Sequence, residues 1–220
     1  MNTAMILAAG RGERLRPLTD RIPKALCLIN GIPLIQYHVE HLAHANYQRV
    51  VINHAHLGGQ IKTCLGDGSR FGLEIIYIPE PPGALETGGG LVNALPYLGD
   101  TPFLTINADI FTDYPFEQFH NPDTSKIHTV LIKTPHSHPY ADFGVSEHNE
   151  LLNTDRRYTL AGITSYPPSL LRTCPQGRYS ITPFLRQWAD QRLITAEIYE
   201  GTWYDTGTPS RLEEARQHQS

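Results

Sequence analysis

The chain has 220 residues and a net charge of −4, with 40% hydrophobic and 18% charged residues. This composition excludes a disordered chain, and the slightly acidic balance excludes a globally basic surface for nucleic acid. Because no apolar run approaches the roughly 18 residues that cross a bilayer, we also expect no membrane span and no membrane partner.

Strand-like and helix-like patterns alternate along the chain. Strands are predicted at residues 4–9, 49–53, 73–78, 102–109, 127–134, 158–166 and once more within 196–208. Helices are predicted at residues 33–46, 57–68, 87–98, 180–193 and 209–218. The alternation predicts an α/β fold whose largely parallel sheet is covered on both faces, in one domain spanning residues 1–220.

Ligands of such sheets bind at the carboxyl ends of the strands. Two segments of chemical interest lie there, namely the glycine-rich loop at residues 8–17 and the Asn-Ala-Asp triplet at 107–109. The polar, irregular stretch 134–160 is the best candidate for a substrate-facing subregion. A surface hairpin is the alternative interpretation of that stretch.

The glycine-rich loop reads AAGRGERLRP, and Lys24 follows it. Gly10 and Gly12 allow backbone N–H groups to approach a ligand closely, while arginine and lysine suit phosphate. The loop lacks the GKS or GKT of a Walker loop and has only two glycines of a dinucleotide fingerprint. It therefore predicts a polyphosphate site of another kind. We interpret three of its cations as solvated surface charges: Arg11, Arg16 and Arg21.

Residues 7–26, LAAGRGERLRPLTDRIPKAL, closely resemble the signature of the sugar-1-phosphate nucleotidyltransferases. The resemblance continues in order through the whole chain, in PLIQYHVEHL, LETGGGLVNAL, INAD, FGV and WYDTGTP. INHAHLGGQI and LGDGSRFGL resemble most the N-acetylmuramate α-1-phosphate uridylyltransferases of that family. The resemblance implies a Rossmann-like three-layer α/β/α fold with a mixed, mainly parallel central sheet.

The reaction implied by this resemblance transfers a nucleotidyl group from a nucleoside triphosphate to a sugar 1-phosphate, releasing pyrophosphate. UTP and N-acetylmuramic acid α-1-phosphate are the substrates expected, in cell-wall sugar recycling. Because the attacking phosphate oxygen is already anionic, no protein general base is required. Catalysis then depends on positioning and charge neutralisation.

Several residues match functional positions of the family. The resemblance implies that Arg14 holds the departing β and γ phosphates and that Lys24 contacts the α-phosphate or the sugar phosphate. It implies that Asp109 and Asp205 hold Mg²⁺, a cation that suits carboxylate and phosphate oxygens. The nucleotide-binding set implied is Leu7, Ala8, Ala9, Gly10, Gly12, Glu13, Arg14, Lys24, Thr87 and Gly88. For residues 87–90, a helix cap with a tight turn is an equally weighted interpretation.

The sugar side departs from the family pattern, since no Glu-Lys-Pro segment follows the FGV triplet. The residues carried over for sugar binding are Asn107, Asp142 and Gly144. A missing glutamate leaves room for the lactyl carboxylate of muramic acid, which a nearby cation would favour. Arg156 and Arg157 are the nearest cations in sequence, and exposure to solvent is the alternative for each.

Other functions are compatible with the same motifs. A hexose-1-phosphate guanylyl- or thymidylyltransferase, and a cytidylyltransferase acting on a phosphorylated alcohol, would use the same loop. An inactive regulatory subunit is disfavoured because Arg14, Lys24, Asp109 and Asp205 are all present. Two His-X-His pairs, at 54–56 and 136–138, lack a third ligand at a suitable spacing, which disfavours zinc.

Three cysteines, Cys27, Cys64 and Cys174, are widely spaced, which predicts neither a disulfide framework nor a metal cluster. No basic region followed by an apolar stretch and a cleavage site opens the chain, so we expect no signal peptide. A cytoplasmic protein with reduced thiols is the simplest interpretation.

Overall fold

The computed structural model describes residues 2–119, 123–135, 138 and 140–217. The strands are β1 (Thr3–Leu7), β2 (Leu28–Ile29), β3 (Ile32–Pro33), β4 (Arg49–His54), β5 (Glu74–Pro79), β6 (Phe103–Asn107), β7 (Ile110–Thr112), β8 (Ile127–Lys133), β9 (Gly144–Val145), β10 (Leu151–Leu152), β11 (Tyr158–Tyr166), β12 (Ile194–Tyr199) and β13 (Trp203–Asp205). The helices are α1 (Leu34–His44), α2 (Gly58–Leu65), α3 (Glu86–Leu98), α4 (Pro168–Leu171), α5 (Thr182–Asp190) and α6 (Pro209–Gln217).

Seven strands form the central sheet in the order β12-β8-β11-β6-β1-β4-β5. Strand β11 runs antiparallel to both of its neighbours, whereas the other pairs are parallel. The predicted mixed, mainly parallel sheet is therefore confirmed. Leu7, at the end of β1, is in register with Asn53 of β4 on one side and with Asn107 of β6 on the other. Three strands thus end side by side where the glycine-rich loop begins.

The two faces of the sheet are buried in separate hydrophobic clusters. Ala4 and Ile6 of β1 face one cluster, while Met5 between them faces the other, as the two-residue period of a strand requires. Helix α1 contributes Val39 to the first cluster and helix α3 contributes Leu91 to the second. The sheet is covered on both faces, which gives the three-layer α/β/α arrangement.

The late stretch 196–208 differs from its prediction as one strand. It contains the end of β12 and the separate strand β13, which pairs with β7 outside the central sheet. Asp113 accepts hydrogen bonds from the Thr202 amide and the Tyr199 hydroxyl, so it stabilises the bend between the two strands. Glu200 and Gly201 lie at this bend, so a charged residue followed by glycine was the sequence signal that the prediction of one strand missed.

The segment 134–160 contains a small hairpin of β9 and β10, as its alternative interpretation anticipated. Ser146 Oγ accepts a hydrogen bond from the Glu150 amide across the turn of this hairpin. The three cysteines are free thiols, in line with the sequence. None of the described helices combines the length and hydropathy needed to cross a membrane.

Candidate active site

A cavity of about 920 Å³ opens at the carboxyl ends of β1, β4, β5 and β6. That volume falls within the range of small-molecule sites. The predicted site residues that line it are Leu7, Ala8, Ala9, Gly10, Glu13, Lys24, Thr87, Asn107 and Asp109. The wall also contains residues that sequence reasoning missed, namely Asn53, His56, Glu80 and Arg178.

The two glycines of the loop have different roles. Gly12 adopts a left-handed φ of 69°, and a Cβ there would lie 2.9 Å from Thr19 Cγ2 and 3.2 Å from Lys24 Cβ. Its carbonyl also accepts a hydrogen bond from the Thr19 hydroxyl at 2.8 Å. A Cβ on Gly10 would meet nothing within 4 Å. Gly12 therefore lets the loop pack beside Lys24, whereas Gly10 leaves the backbone open toward the cavity.

Arg11 is not a solvated surface charge, which corrects the sequence-based interpretation. Its guanidinium donates to the Thr19 carbonyl at 2.6 Å and to Asp20 Oδ1 at 2.7 Å, and the residue lines the cavity. Arg16 and Arg21 are exposed, as expected. Arg11 therefore stabilises the glycine-rich loop by connecting it to residues 19 and 20.

Lys24 forms the central ion pair of the site. Its ammonium lies 2.5 Å from Asp109 Oδ2, and only 11% of its side chain is exposed against 38% for Asp109. Lys24 begins a short helical turn, Lys24–Leu26, while Asp109 lies two residues beyond β6. A buried cation held at a fixed point in an open cavity can neutralise the charge of a bound phosphate.

Asp205 lies beside Asp109 despite their separation in sequence. Strand β13 places Asp205 opposite Ile110 of β7, and both the amide and the hydroxyl of Thr206 donate to the Asp109 carbonyl at 2.9 Å. Arg211 pairs with Asp205 Oδ2 at 2.6 Å. The carboxylates of Asp109, in the turn between β6 and β7, and of Asp205, at the end of β13, are oxygen donors of the kind that Mg²⁺ prefers, with phosphate oxygens to complete the shell. The donor set therefore fits that cation.

Arg14 lies close to Asp205, which is outside the lining of the main cavity. Its Nη2 and Asp205 Oδ1 both lie within 2.7 Å of the point that a Cβ on Gly207 would occupy. Arg14 does not line the main cavity and is exposed. His138 Nε2 is 3.7 Å from Asp205 Oδ2, and burial, followed by repulsion from Arg211, lowers the pKa of this histidine. Asp205 is therefore close to two guanidinium groups, those of Arg14 and Arg211, and to an imidazole whose protonated form is disfavoured.

The glycines in the first turns of α3 serve mainly to pack this helix against its neighbours. The helix begins at Glu86, so Thr87 lies inside its first turn and does not cap it. Gly88 and Gly89 both donate their amides to the Tyr179 carbonyl, at 3.0 and 3.3 Å. A Cβ on Gly88 would overlap the Tyr179 ring. Thr87 lines the cavity, while Gly88 acts on it only through this packing.

Among the three residues expected to bind sugar, Asn107 alone lines the cavity. A bulge in β11 at Gly162, with a φ of 76°, makes room for its side chain, because a Cβ there would lie 2.8 Å from Asn107 Nδ2. Asp142 instead accepts a hydrogen bond from the Leu160 amide at 3.0 Å. Gly144 packs against the Thr154 carbonyl within the hairpin.

Arg156 and Arg157 are exposed and lie outside the cavity lining. Arg156 donates to Asn153, and Arg157 pairs with Asp155, so both are engaged within their own turn. This arrangement favours the solvent-exposed alternative for both arginines.

The first His-X-His pair does not form a metal site in the structure. His54 ends β4 and its ring occupies the space beside Gly58, while His56 Nε2 lies 3.0 Å from the Thr19 carbonyl. His136 and Ser137 of the second pair are outside the described residues. Within the described part of the chain, no group of three or more His, Cys, Asp and Glu side chains could hold a metal ion.

Polar residues at strand ends were the signal for the missed cavity residues. Asn53 interrupts the apolar run of β4, and Glu80 directly follows β5. Both lie at the same edge as Asn107 and Asp109, so the reasoning applied to that pair would have found them. Arg178 carried no comparable signal, since it reaches the cavity from the loop before α5 and pairs with Glu86 at 3.3 Å.

Comparisons with known proteins identify the family and support the fold. A family model described as nucleotidyl transferase matches residues 3–220. The N-acetylmuramate alpha-1-phosphate uridylyltransferase of Neisseria meningitidis serogroup B is 41% identical, covering 97% of this chain and 96% of the relative. The protein of the same name from Caulobacter vibrioides is 28% identical, covering 94% and 92%. The solved structure of HddC from Yersinia pseudotuberculosis shares the fold, with a TM-score of 0.82, 20% identity and 99% coverage of both chains.

Proposed function

Since this chain belongs to the nucleotidyl transferase family, we propose that it transfers UMP from UTP to N-acetylmuramic acid α-1-phosphate. The products are UDP-N-acetylmuramic acid and pyrophosphate. The observation that carries the proposal is the ion pair of Lys24 with Asp109 in the wall of the cavity, next to which β13 brings the backbone of Asp205. The full-length similarity to a uridylyltransferase supports the choice of base and sugar.

The reaction follows from charge and position. A phosphate oxygen of the sugar 1-phosphate attacks the α-phosphorus of UTP, and the bond to the β-phosphate oxygen breaks as pyrophosphate leaves. Lys24 neutralises charge at the α-phosphate or the sugar phosphate, and Arg14 holds the departing phosphates. Asp109 and Asp205 would hold Mg²⁺, which when bound supplies further neutralisation of phosphate charge. The attacking oxygen carries no proton to remove, so the mechanism needs no general base.

The remaining wall of the cavity holds the nucleoside and the sugar. The backbone of Leu7, Ala8 and Ala9 lines the base and ribose, with Gly10 open to the phosphates. Glu13 and Thr87 complete the lining of the nucleotide, and Gly12 and Gly88 shape it through packing.

On the sugar side, Asn107 reaches the cavity directly. Asp142 and Gly144 lie outside the cavity lining and stabilise the chain around the hairpin, Asp142 by accepting from the Leu160 amide and Gly144 by packing against the Thr154 carbonyl. The absent Glu-Lys-Pro segment leaves space for the lactyl group, whose carboxylate a glutamate would repel. These features support a role in peptidoglycan sugar recycling, which takes place where UTP is available, in the cytoplasm.

A panel of substrates tests the proposal. Pyrophosphate release would be measured for UTP, dTTP, GTP and CTP, each with the 1-phosphates of N-acetylmuramic acid, N-acetylglucosamine, glucose and mannose. The highest specificity constant is expected for UTP with the muramic acid derivative. Preference for N-acetylglucosamine 1-phosphate would contradict the sugar assignment. Release with no pair would contradict the enzymatic function and favour a regulatory subunit.

A further inference from the structure

Asn53 and Glu80 form a buried hydrogen-bonded pair in the wall of the cavity. They are 2% and 8% exposed, and Asn53 Nδ2 donates to Glu80 Oε1 at 2.7 Å. The Ala8 amide donates to Asn53 Oδ1 at 2.9 Å, and the Leu85 amide donates to Glu80 Oε2 at 2.7 Å. The pair therefore connects the end of β1 to the residue that precedes α3, across the ends of β4 and β5.

The segment held by Glu80 is under backbone strain. Ala84 and Glu86 have left-handed φ values of 57° and 58°, which residues with a Cβ rarely adopt. Leu85 between them is held on both sides, since its amide donates to Glu80 and its carbonyl accepts from the Tyr179 amide at 3.1 Å. Strained residues persist only where their surroundings determine the conformation. Both Ala84 and Glu86 line the cavity, so the strain lies in its wall.

Gly90 of α3 provides the space for the pair. A Cβ at this position would lie 2.8 Å from Glu80 Oε1 and 2.9 Å from Asn53 Nδ2. Asn53 and Glu80 therefore leave no space for a side chain at Gly90, just as residues 177–179 leave none at Gly88 and Gly89.

The two backbone amides determine which side chains can form the pair. Both Ala8 and Leu85 donate, so the side chains between them must supply three acceptors and one donor. An amide at 53 with a carboxylate at 80 meets this requirement, and so does a carboxylate at 53 with an amide at 80. With amides at both 53 and 80, one side-chain N–H group must face another N–H donor. With carboxylates at both positions, the two side chains have no proton to share, so the central hydrogen bond is lost.

We propose that Asn53 and Glu80 are positioning residues for the nucleotide. They hold Ala8 and the strained segment 84–86 at the separation that the nucleoside requires, so nucleotide affinity depends on them although neither transfers charge in the reaction. The inference rests on the proposed function, because it takes the cavity to hold a nucleoside triphosphate.

Reversing the pair tests the proposal. The variants are Glu80→Gln, Asn53→Asp and the double variant Asn53→Asp/Glu80→Gln, which retains all three hydrogen bonds with the direction of the central one reversed. The control is Glu74→Gln, at the other end of β5, where the carboxylate is exposed and pairs with Arg49. For each protein, kcat, the KM for UTP, equilibrium binding of UTP and the melting temperature are measured.

Each single variant is expected to raise the KM and the dissociation constant for UTP by up to roughly tenfold, the effect of one lost hydrogen bond. The value of kcat at saturating UTP should change little. The double variant should return the KM close to that of the wild type, and Glu74→Gln should leave it unchanged. If Asn53→Asp does not fold, Glu80→Gln and the double variant still provide the comparison.

Two results would overturn the inference. Unchanged UTP binding in Glu80→Gln with a lowered melting temperature would make the pair purely structural. A double variant that regains its melting temperature but not its KM would show that the Glu80 charge itself contacts the ligand. A wild-type protein that binds no triphosphate would instead contradict the proposed function, before any variant is compared.

Discussion

The Lys24 ammonium and the Asp109 carboxylate lie 2.5 Å apart. This ion pair connects the chain that follows the glycine-rich loop to the turn that follows β6. The same carboxylate is the expected metal ligand, and the same ammonium the expected phosphate ligand. In the protein without substrates each therefore neutralises the other. When a cation and a phosphate bind, this ion pair would be replaced by two attractive contacts, one between Asp109 and the cation and one between Lys24 and the phosphate.

Removing either of the two carboxylates proposed to bind the metal should abolish most turnover. Asp109→Asn and Asp205→Asn replace a charged ligand by a neutral amide, a far poorer partner for a hard divalent cation. Activity should require Mg²⁺ or Mn²⁺ and disappear with a chelator. The measurements are pyrophosphate release and melting temperature, with Asp190→Asn, at the exposed end of α5, as the control. Near-normal rates in either variant would remove that aspartate from the metal site.

Lys24→Ala should lower turnover by roughly 10²–10³, by analogy with the loss of one donor facing developing charge. Lys24→Arg should restore only part of it, because a planar guanidinium does not replace a compact ammonium in a nearly buried position. Steady-state kinetics with both substrates saturating would measure the effect. A Lys24→Ala protein that differed only in thermal stability would contradict the catalytic role.

Arg156→Ala and Arg157→Ala should leave the preference for the muramic acid substrate unchanged. Both guanidinium groups are engaged within their own exposed turn and lie outside the cavity lining. The measurement is the ratio of specificity constants for the muramic acid and glucosamine 1-phosphates. If one variant lost this preference but kept its turnover of the glucosamine substrate, that arginine would be the group that binds the carboxylate.

Gly89→Ala should destabilise the protein by about 1–3 kcal/mol, the usual cost of overpacking. A Cβ there would overlap the carbonyl oxygen of Gly177. The matched control is Gly59→Ala in α2, where a Cβ meets nothing within 4 Å and alanine favours the helix by up to about 1 kcal/mol. Urea unfolding measures both changes. Equal stabilities for the two variants would contradict the close packing seen at the start of α3.

His38 should make the protein less stable in mild acid. Burial, followed by repulsion from His41, lowers the pKa of His38 from 6.5 to about 4. The unfolded chain therefore binds a proton that the folded chain rejects, and stability falls as the pH falls from 6.5 to 4, by roughly 3 kcal/mol. The free energy of unfolding would be measured across this window. His38→Gln should reduce the slope, whereas the same change at the exposed His148 should not.

The sequence alone determined the order along the chain of the central-sheet strands and of the longer helices, and it determined part of the cavity wall. Hydrophobic periodicity is local, so β11 was predicted at its observed bounds and α1 within a few residues of them. The family motif is contiguous from Leu7 to Lys24, and most of the residues that it implied do line the cavity. The backbone conformation of this loop depends on glycines within the same short segment, so the local sequence was sufficient to predict it.

The tertiary structure decided the relationships between distant segments. The pairing of β13 with β7 places Asp205 beside Asp109, and the register of β1, β4 and β5 brings Asn53 to the Ala8 amide and Glu80 to Asn53. It also places Arg156 and Arg157 outside the cavity that their position in the sequence suggested. Such contacts arise because sheet register and helix packing bury the apolar faces of the whole chain together. No local pattern can specify which polar side chains then meet at the sheet edge.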